Sequence, residues 1–283
     1  MNHLALDTVT EILSVSLRVT TPGGSRCLTA VREMGLRHAH LVMPIVDRLL
    51  SEAAVAPGDL DLVSCMRGPG SFTGLRIGMA TVKGLASAVM ALRGLEQAPV
   101  VSVSTLDVMA GALAPLDAWV VPVIDGRKGR FYTAVYFRGE RLTGDLDLTP
   151  AEILARVGDL ADAAGAPNAA GAPCHPPASN VPGASSAAPG AGGSRVEREL
   201  IVTGPHARQF VAEVRSAGHD TGRLRLVVDP GARRGYASIL LEYAEAALAT
   251  HGYDEDDQGP VYVRQSDAEL MRHDPGSPGR GHG

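Results

Sequence analysis

The sequence predicts an α/β protein made of two mixed domains of similar plan. The chain has 283 residues, of which 45% are hydrophobic and 20% charged, so it is long enough for two domains with buried cores. Each half begins with the period-two apolar pattern of antiparallel strands and then alternates strand and helix patterns. We therefore expect one domain at 1–114, a second at 115–254, and a flexible tail at 255–283.

The first half opens with three short strands and then alternates helices and strands. Period-two patterns, buried apolar runs and turn residues predict strands at 3–7, 13–19, 27–31, 60–66 and 100–104, and helices at 37–54, 73–90 and 105–114. Pro44 lies inside the first helical pattern, where it would kink the helix unless the helix begins there. Ser71 or Thr73 can cap the second helix, which is apolar on nearly every side and is therefore expected to be buried.

The second half repeats this plan. The patterns predict strands at 119–124, 130–137, 142–148, 200–204 and 224–228, and helices beginning at Pro150 and spanning 205–216 and 236–251. A stretch rich in Ala, Gly, Pro and Ser at 161–194 contains few large apolar residues. Such a composition cannot bury enough surface to offset the entropy of ordering, so we expect this insertion to be disordered.

Charge and cysteine content favour a cytoplasmic protein that does not bind nucleic acid alone. The formal net charge is −5, whereas unaided RNA binding usually requires a basic face. The three cysteines are far apart and include no Cys-x-x-Cys pair, which argues against a disulfide framework. No secretory signal is predicted, because the first residues lack a basic segment followed by an apolar one. No membrane span is predicted either, because the least polar stretch contains Arg76 and Lys83.

A glycine-rich loop at 68–74 is the first candidate site. Glycine turns before a helix can bind phosphate through free backbone N–H groups, here near Gly70, Ser71 and Thr73. The spacing differs from the dinucleotide fingerprint and no Gly-Lys-Ser/Thr follows, so a structural turn is the favoured alternative. Asp7 and Thr8 end the first strand, where a carboxylate can hold Mg²⁺ or simply bond the next turn.

Other catalytic arrangements lack support in the sequence. No two of the nine histidines lie four residues apart, so no metal site of the His-x-x-x-His type is expected. There is no Gly-x-Ser-x-Gly elbow, and Cys65 in an apolar strand should be inert. Asp125, Arg127 and Lys128 lie between two strands, where they either contact a ligand or partner or form a solvated hairpin turn.

The glycine loop also carries a family resemblance. Residues 68–78, Gly-Pro-Gly-Ser-Phe-Thr-Gly-Leu-Arg-Ile-Gly, followed by Lys-Gly-Leu-Ala at 83–86, resemble the signature of the bacterial TsaB (YeaZ) family. Further similarity is found at 4–8, in 37–50, at 125–132 and at 261–264. The resemblance implies two ribonuclease-H-like domains of the actin/Hsp70/sugar-kinase (ASKHA) type.

The same resemblance implies a function. TsaB-like proteins are non-catalytic partners of the paralogue TsaD in making threonylcarbamoyladenosine beside the anticodon of tRNA, together with the ATPase TsaE. It therefore implies a TsaD-like and a TsaE-like partner, tRNA contact through the complex, and a homodimer when the partner is absent. No metal or cofactor is expected in the isolated chain, with ATP and Mg²⁺ possible only in the assembled complex.

The resemblance also implies that the first two long helices form the partner interface. The implied interface residues are His38, Leu41, Val42, Ile45, Leu49, Arg76, Met79 and Lys83. The family pattern His-Ser-Glu reads His-Ala-His at 38–40 here, which removes a cap and a negative charge from that surface. Two alternatives stay open: an ATP-binding phosphotransferase or ATPase, with Asp7 and the Gly204-Pro205-His206 turn as its candidates, and a glycoprotease-like metallopeptidase.

Overall fold

The computed structural model describes residues 1–33, 35, 38–163 and 198–263. These residues form two β-sheets with helices packed against them. Most of the predicted insertion, the tail beyond Val263 and the helix position at Arg37 lie outside the described residues.

The first sheet has five strands. They are β1 (Asn2–Asp7), β2 (Ile12–Thr21), β3 (Gly24–Glu33), β4 (Leu62–Gly68) and β5 (Val100–Ser104). The order is β3-β2-β1-β4-β5. The first three strands form the predicted antiparallel meander, and β4 and β5 add in parallel, with Leu4 of β1 opposite both Leu17 and Val63. β1 is buried on both faces, which explains its unbroken apolar run.

Helices cover one face of this sheet in the order the sequence predicts. They are α1 (His38–Ala53) and α2 (Phe72–Arg93). A short helix, α3 (Thr105–Gly111), follows β5 and lies on the other face. Pro44 lies within α1, so the helix does not begin there. Ser71, and not Thr73, is the N-cap of α2 and accepts a hydrogen bond from Gly74 N at 3.3 Å.

The second sheet has seven strands. They are β6 (Trp119–Asp125), β7 (Phe131–Thr133), β8 (Tyr136–Phe137), β9 (Glu140–Arg141), β10 (Leu146–Leu148), β11 (Arg198–Thr203) and β12 (Leu224–Val228). The order is β10-β7-β6-β11-β12, with β8 paired to β6 and β9.

The prediction of a single strand at 130–137 is wrong. β7 pairs with the end of β6, at Val123–Asp125, whereas β8 pairs with its beginning, at Trp119 and Val120. The chain must break its ladder to reach both ends of β6, so the segment divides into two short strands. The strand predicted at 142–148 is shorter than expected, because only residues 146–148 pair with β7 and form β10.

Two helices pack on the second sheet. They are α4 (Pro150–Ala163), which begins at the predicted proline, and α5 (Ala207–Ser216). Ile153, Val157 and Phe210 of these helices are fully buried among the apolar side chains of β6 and β11. Residues 161–163, predicted to belong to the insertion, form the last turn of α4.

The last helix, α6 (Ala237–His251), does not pack where the predicted domain boundary places it. Its sequence lies in the predicted second domain, but it packs on β1, β2, β4 and β5 of the first sheet. Leu240 and Leu241 are buried together with Ala5 and Leu62. The first sheet is thus covered by α1 and α2 on one face and by α6 and α3 on the other, so the predicted unit 115–254 does not coincide with the second sheet and its helices.

α2 is the one helix in the described part of the chain that is long and apolar enough, by length and composition alone, to cross a bilayer. Core helices of water-soluble proteins meet the same criterion. Here Leu75, Val82, Ala86 and Val89 are buried against the first sheet, so α2 is a core helix with one buried face.

Candidate functional site

The glycine loop is shaped by the turn that follows β1. A Cβ atom at Gly70 would lie 1.9 Å from Val9 Cγ1, and one at Gly74 would lie 2.1 Å from the Thr8 carbonyl oxygen. Ser71 N donates to the Val9 carbonyl at 3.0 Å, and Thr8 Oγ1 donates to the Gly74 carbonyl at 2.8 Å. The glycines are therefore required by close packing, which supports the structural interpretation of the loop.

Asp7 is completely buried and its oxygens are used within the chain. Oδ1 accepts from Val9 N at 3.3 Å, and Oδ2 accepts from Ser14 Oγ at 3.3 Å and from Tyr236 N at 3.0 Å. Burial raises the pKa of Asp7 above its usual value despite these bonds. Because Ser14 Oγ also accepts from Ala237 N at 3.0 Å, Asp7 and Ser14 together bind the first N–H groups of α6. Asp7 is thus a helix-capping residue that links β1 to the start of α6.

An open cleft of about 510 Å³ separates the glycine loop from the second sheet. Gly70, Ser71 and Thr73 line one side, whereas Asp7 and Thr8, predicted beside them, are buried and do not line it. On the other side are Asp125, Arg127 and His206.

The far side of this cleft is a network of local hydrogen bonds. Asp125 N donates to His206 Nδ1 at 3.0 Å, and Arg127 N donates to Asp125 Oδ1 at 2.8 Å. Burial lowers the pKa of His206, so its ring is neutral near pH 7 and accepts at Nδ1. Gly204 is one of the candidate nucleotide-binding residues of the phosphotransferase alternative. It has a positive φ of 90°, and a Cβ there would lie 2.8 Å from the Val123 carbonyl oxygen. Backbone conformation and close packing therefore account for a glycine at this position. Lys128, like Arg127, lies in this turn with positive φ.

Four of the five predicted interface residues on α1 are covered by the chain itself. His38, Val42, Ile45 and Leu49 are each at most 7% exposed, and Leu41 is half-buried. His38 donates through Nε2 to the Thr10 carbonyl at 2.6 Å. The resemblance implies these four side chains at a partner interface, but they lie on the face of α1 that packs on the first sheet, and we correct their assignment accordingly.

The predicted residues of α2 also have partners within the chain. Met79 is buried, with Sδ 3.9 Å from Cys65 Sγ. Arg76 and Lys83 face the segment Tyr253–Val263, which we call the C-terminal strap: Arg76 Nε lies 3.4 Å from Tyr262 Oη, and Lys83 Nζ donates to the Asp256 carbonyl at 2.6 Å. The predicted flexible tail from 255 onward is therefore packed on the first half as far as Val263.

The strap is held at both ends by main-chain hydrogen bonds. Asp254 N donates to the Val100 carbonyl at 2.8 Å, and the Asp254 carboxylate accepts from Ser102 N at 2.9 Å. Near the other end, Val261 N donates to the Arg67 carbonyl at 2.6 Å. The strap thus follows the outer edge of the first sheet, alongside β5 and α2.

The exposed surface of α1 and α2 carries small and apolar side chains as well as charged ones such as Arg48 and Arg76. We call its small and apolar part the outer face and define it by the exposed residues Ala39, Met43 and Pro44 of α1 and Ala80, Gly84 and Ala88 of α2. Leu41 and Ile77 are half-buried and pack against the core of the first sheet. Met43 is 45% exposed. Ala80, Gly84 and Ala88 recur every four residues on one side of the helix, and a Cβ at Gly84 would meet no atom within 4 Å.

Two clusters of hydrogen-bonded polar side chains could not be predicted from the local sequence. His3 is buried, with Nε2 2.8 Å from Ser64 Oγ and Nδ1 3.0 Å from Glu245 Oε1 on α6, and Arg18 pairs with the same carboxylate at 2.9 Å. In the second half, the carboxylate of Asp229 accepts from both Thr203 and Arg234. Each cluster joins positions distant in sequence, so neither spacing nor periodicity indicates it. Among the described residues no group of three or more His, Cys, Asp or Glu side chains is placed to hold a metal ion.

The sequence matches a known protein family and several named relatives. Residues 32–177, about half of the chain, match the family described as TsaD, tRNA N6-adenosine threonylcarbamoyltransferase. The chain is 32% identical over 136 residues to the tRNA threonylcarbamoyladenosine biosynthesis protein TsaB of Bacillus subtilis, and 36% identical over 142 residues to that of Escherichia coli. These matches cover 48% and 50% of this chain and 55% and 57% of the relatives, so the chain spans about half the length of the curated relatives it matches.

Two solved structures of Pseudomonas aeruginosa proteins extend the similarity to most of the chain. YeaZ and a protein described as similar to peptidase YEAZ are each 27% identical, with TM-scores of 0.60 and 0.63, and each match covers 93% of this chain and 99% of the other. The predicted α/β fold class is confirmed by the two helix-covered sheets and by these neighbours. The chain belongs to the family described as TsaD, and the named relatives and solved structures to which it is similar are TsaB and YeaZ proteins.

Proposed function

We propose that this chain is a non-catalytic partner subunit in tRNA threonylcarbamoyladenosine biosynthesis, and that its outer face docks on a TsaD-like catalytic subunit. The named relatives support the pathway. The observation that carries the docking surface is the exposed stripe of Ala80, Gly84 and Ala88 beside the exposed Met43. Small residues at every fourth position let a second helix approach closely, because the distance between packed helices depends on the side chains at the contact.

The non-catalytic role is supported by how the candidate catalytic groups are used. Asp7, which a phosphotransferase of this fold would direct at a metal, is buried and caps α6. His38, the conspicuous histidine of α1, is buried and donates to a backbone carbonyl. Both groups serve the fold, and we infer that the reaction takes place on the partner.

Further partners follow from the same proposal. We expect a TsaE-like ATPase and tRNA to join the assembly through the complex, with ATP and Mg²⁺ bound only there. Without its partner, the outer face is expected to pair two copies in a two-fold homodimer. Cys27 is exposed and free, and Cys65 is buried and free, which is compatible with a reducing cytoplasm.

Gly84→Arg tests the docking surface. Arginine favours a helix over glycine, and the site is open, so the variant should fold normally while its long side chain prevents close helix contact. We expect at least tenfold weaker binding to the cognate TsaD-like protein, by isothermal titration calorimetry, and a parallel loss of tRNA modification in a reconstituted reaction. Sedimentation should show that any homodimer dissociates as well.

Gly158→Arg is the matched control. Gly158 is a helical glycine of α4 with nothing within 4 Å of an added Cβ, so the same charge and bulk are added away from the outer face. Full binding by Gly84→Arg, or equal loss by both variants, would refute the assignment. Ile45→Asp is unsuitable as a test, because Ile45 is buried in the core and its substitution would destabilise the chain.

A further inference from the structure

The strap does not pack tightly along its whole length. Next to its anchor at Asp254, the strap and α2 enclose a cavity of about 280 Å³. Met90, Ala98 and Val100 form an apolar floor, and Ser87 and Lys83 of α2 form one wall. The opposite rim is the acidic run Asp254, Glu255 and Asp256.

The charges at this cavity do not balance. Glu255 and Asp256 are exposed and form no ion pair with any other described residue. The Asp254 carboxylate accepts from Ser102 N, and the positive charges of Arg67 and Lys83 act on it. Lys83 is bound to a carbonyl oxygen and not to a carboxylate. The rim therefore retains negative charge above an apolar floor.

The cavity is adjacent to the outer face along α2. Lys83 and Ser87, which line it, are neighbours of Gly84 and Ala88 on α2, one helical step around the axis. Side chains on the edge of a partner helix docked on the outer face would therefore lie close to the opening of the cavity.

Resting on the proposed docking surface, we infer that this cavity receives a basic side chain, arginine or lysine, from the docked catalytic subunit. The aliphatic part of such a side chain lies along Met90 and Val100, and its charged head meets Glu255 and Asp256, as long cationic side chains commonly do. An apolar floor with an acidic rim provides both the packing and the charge complementarity that fix register at an interface.

The double variant Glu255→Gln, Asp256→Asn tests this in the complex. It should bind the TsaD-like protein about fivefold more weakly at low ionic strength, and the difference should shrink as salt shortens the screening length. The control Asp159→Asn, Asp220→Asn removes two exposed carboxylates elsewhere and should bind like the wild type. Unchanged affinity of the first variant, or the same loss in both, would overturn the inference.

A second measurement needs no partner. The full-length chain is titrated with N-acetyl-arginine methylamide and with its uncharged citrulline analogue, and amide NMR shifts are followed at 83–90 and 254–256. We expect saturable shifts at these positions with the arginine compound, at least threefold weaker binding of the citrulline compound, and loss of the preference in the double variant. Equal binding of both compounds, or no shift at these positions, would overturn the inference even if the outer face is shown to dock on the TsaD-like protein. If that docking is not found but the chain still prefers the arginine compound, only the proposed function is refuted.

Discussion

Adding one methyl group at two positions of α2 should change stability in opposite directions. In Gly74→Ala the new Cβ would lie 2.1 Å from the Thr8 carbonyl oxygen, whereas ordinary contact begins near 3.4 Å. The turn after β1 would have to move by about 1.3 Å, which strains the Ser71–Val9 and Thr8–Gly74 hydrogen bonds. In Gly84→Ala the Cβ enters open space.

The magnitudes follow from overpacking, hydrogen bonding and helix propensity. Overpacking costs about 1–3 kcal/mol, two weakened hydrogen bonds about 1 kcal/mol each, and alanine in a helix regains roughly 0.5–1 kcal/mol. We expect Gly74→Ala to lower the free energy of unfolding by about 2–4.5 kcal/mol, and Gly84→Ala to raise it by about 0.5–1 kcal/mol.

Urea denaturation followed by far-UV circular dichroism, with thermal unfolding as a second measurement, checks both values. A change of 1 kcal/mol should move the midpoint temperature by roughly 2–4 °C. If Gly74→Ala were as stable as the wild type, the glycine loop would not be held by contact with the turn after β1. The structural explanation of the signature would then fail.

Three other properties can be predicted from buried polar groups. Asp7→Ala leaves Tyr236 N without its acceptor and should cost about 2–4 kcal/mol of unfolding free energy, measured by urea denaturation. Burial lowers the pKa of His3 below 6.5, so the unfolded state binds the extra proton and stability should fall as pH decreases from 6.5 towards the lowered value; His3→Gln, which keeps a polar side chain beside Glu245, should flatten that slope. Burial raises the pKa of Cys65 to about 12, so peptide mapping should find Cys65 unalkylated by iodoacetamide until the chain is unfolded.

Each of these predictions has a contrary outcome. Wild-type stability of Asp7→Ala would mean that the carboxylate does not cap α6, and Asp7→Asn, which keeps one acceptor, should lose less than the alanine variant. An unchanged slope in His3→Gln would assign the pH dependence to other groups. Exposed Cys27 is the internal standard for alkylation, and equal labelling of both cysteines in the native protein would contradict the burial of Cys65.

The sequence correctly predicted those strands, caps and helix starts that depend on only a few neighbouring residues. The meander of β1 to β3, the Ser71 cap of α2 and the Pro150 start of α4 depend on alternation, capping and proline geometry within a few residues. The broken strand after β6 was missed, because pairing with two ends of one neighbour is a property of the sheet.

The interface residues show a different limit. Apolar spacing on α1 indicates that a face is buried, but not what buries it, so Ile45 and Leu49 were assigned to a partner although they pack in the chain's own core. The face that stays exposed is built from small residues such as Ala80 and Gly84, which give little hydrophobic signal. The capping of α6 by Asp7 links positions 229 residues apart and has no local signature.

The return of α6 to the first sheet sets an order of events during synthesis. As the chain leaves the ribosome, β1, β4 and β5 emerge long before the helix that covers one of their faces. Until residue 251 has emerged, the apolar face around Ala5 and Leu62 has no α6 to cover it, and exposed apolar sheet is prone to aggregate. The first strand therefore depends on the last helix, so a chain that stops before α6 is expected to need a chaperone and to be degraded quickly.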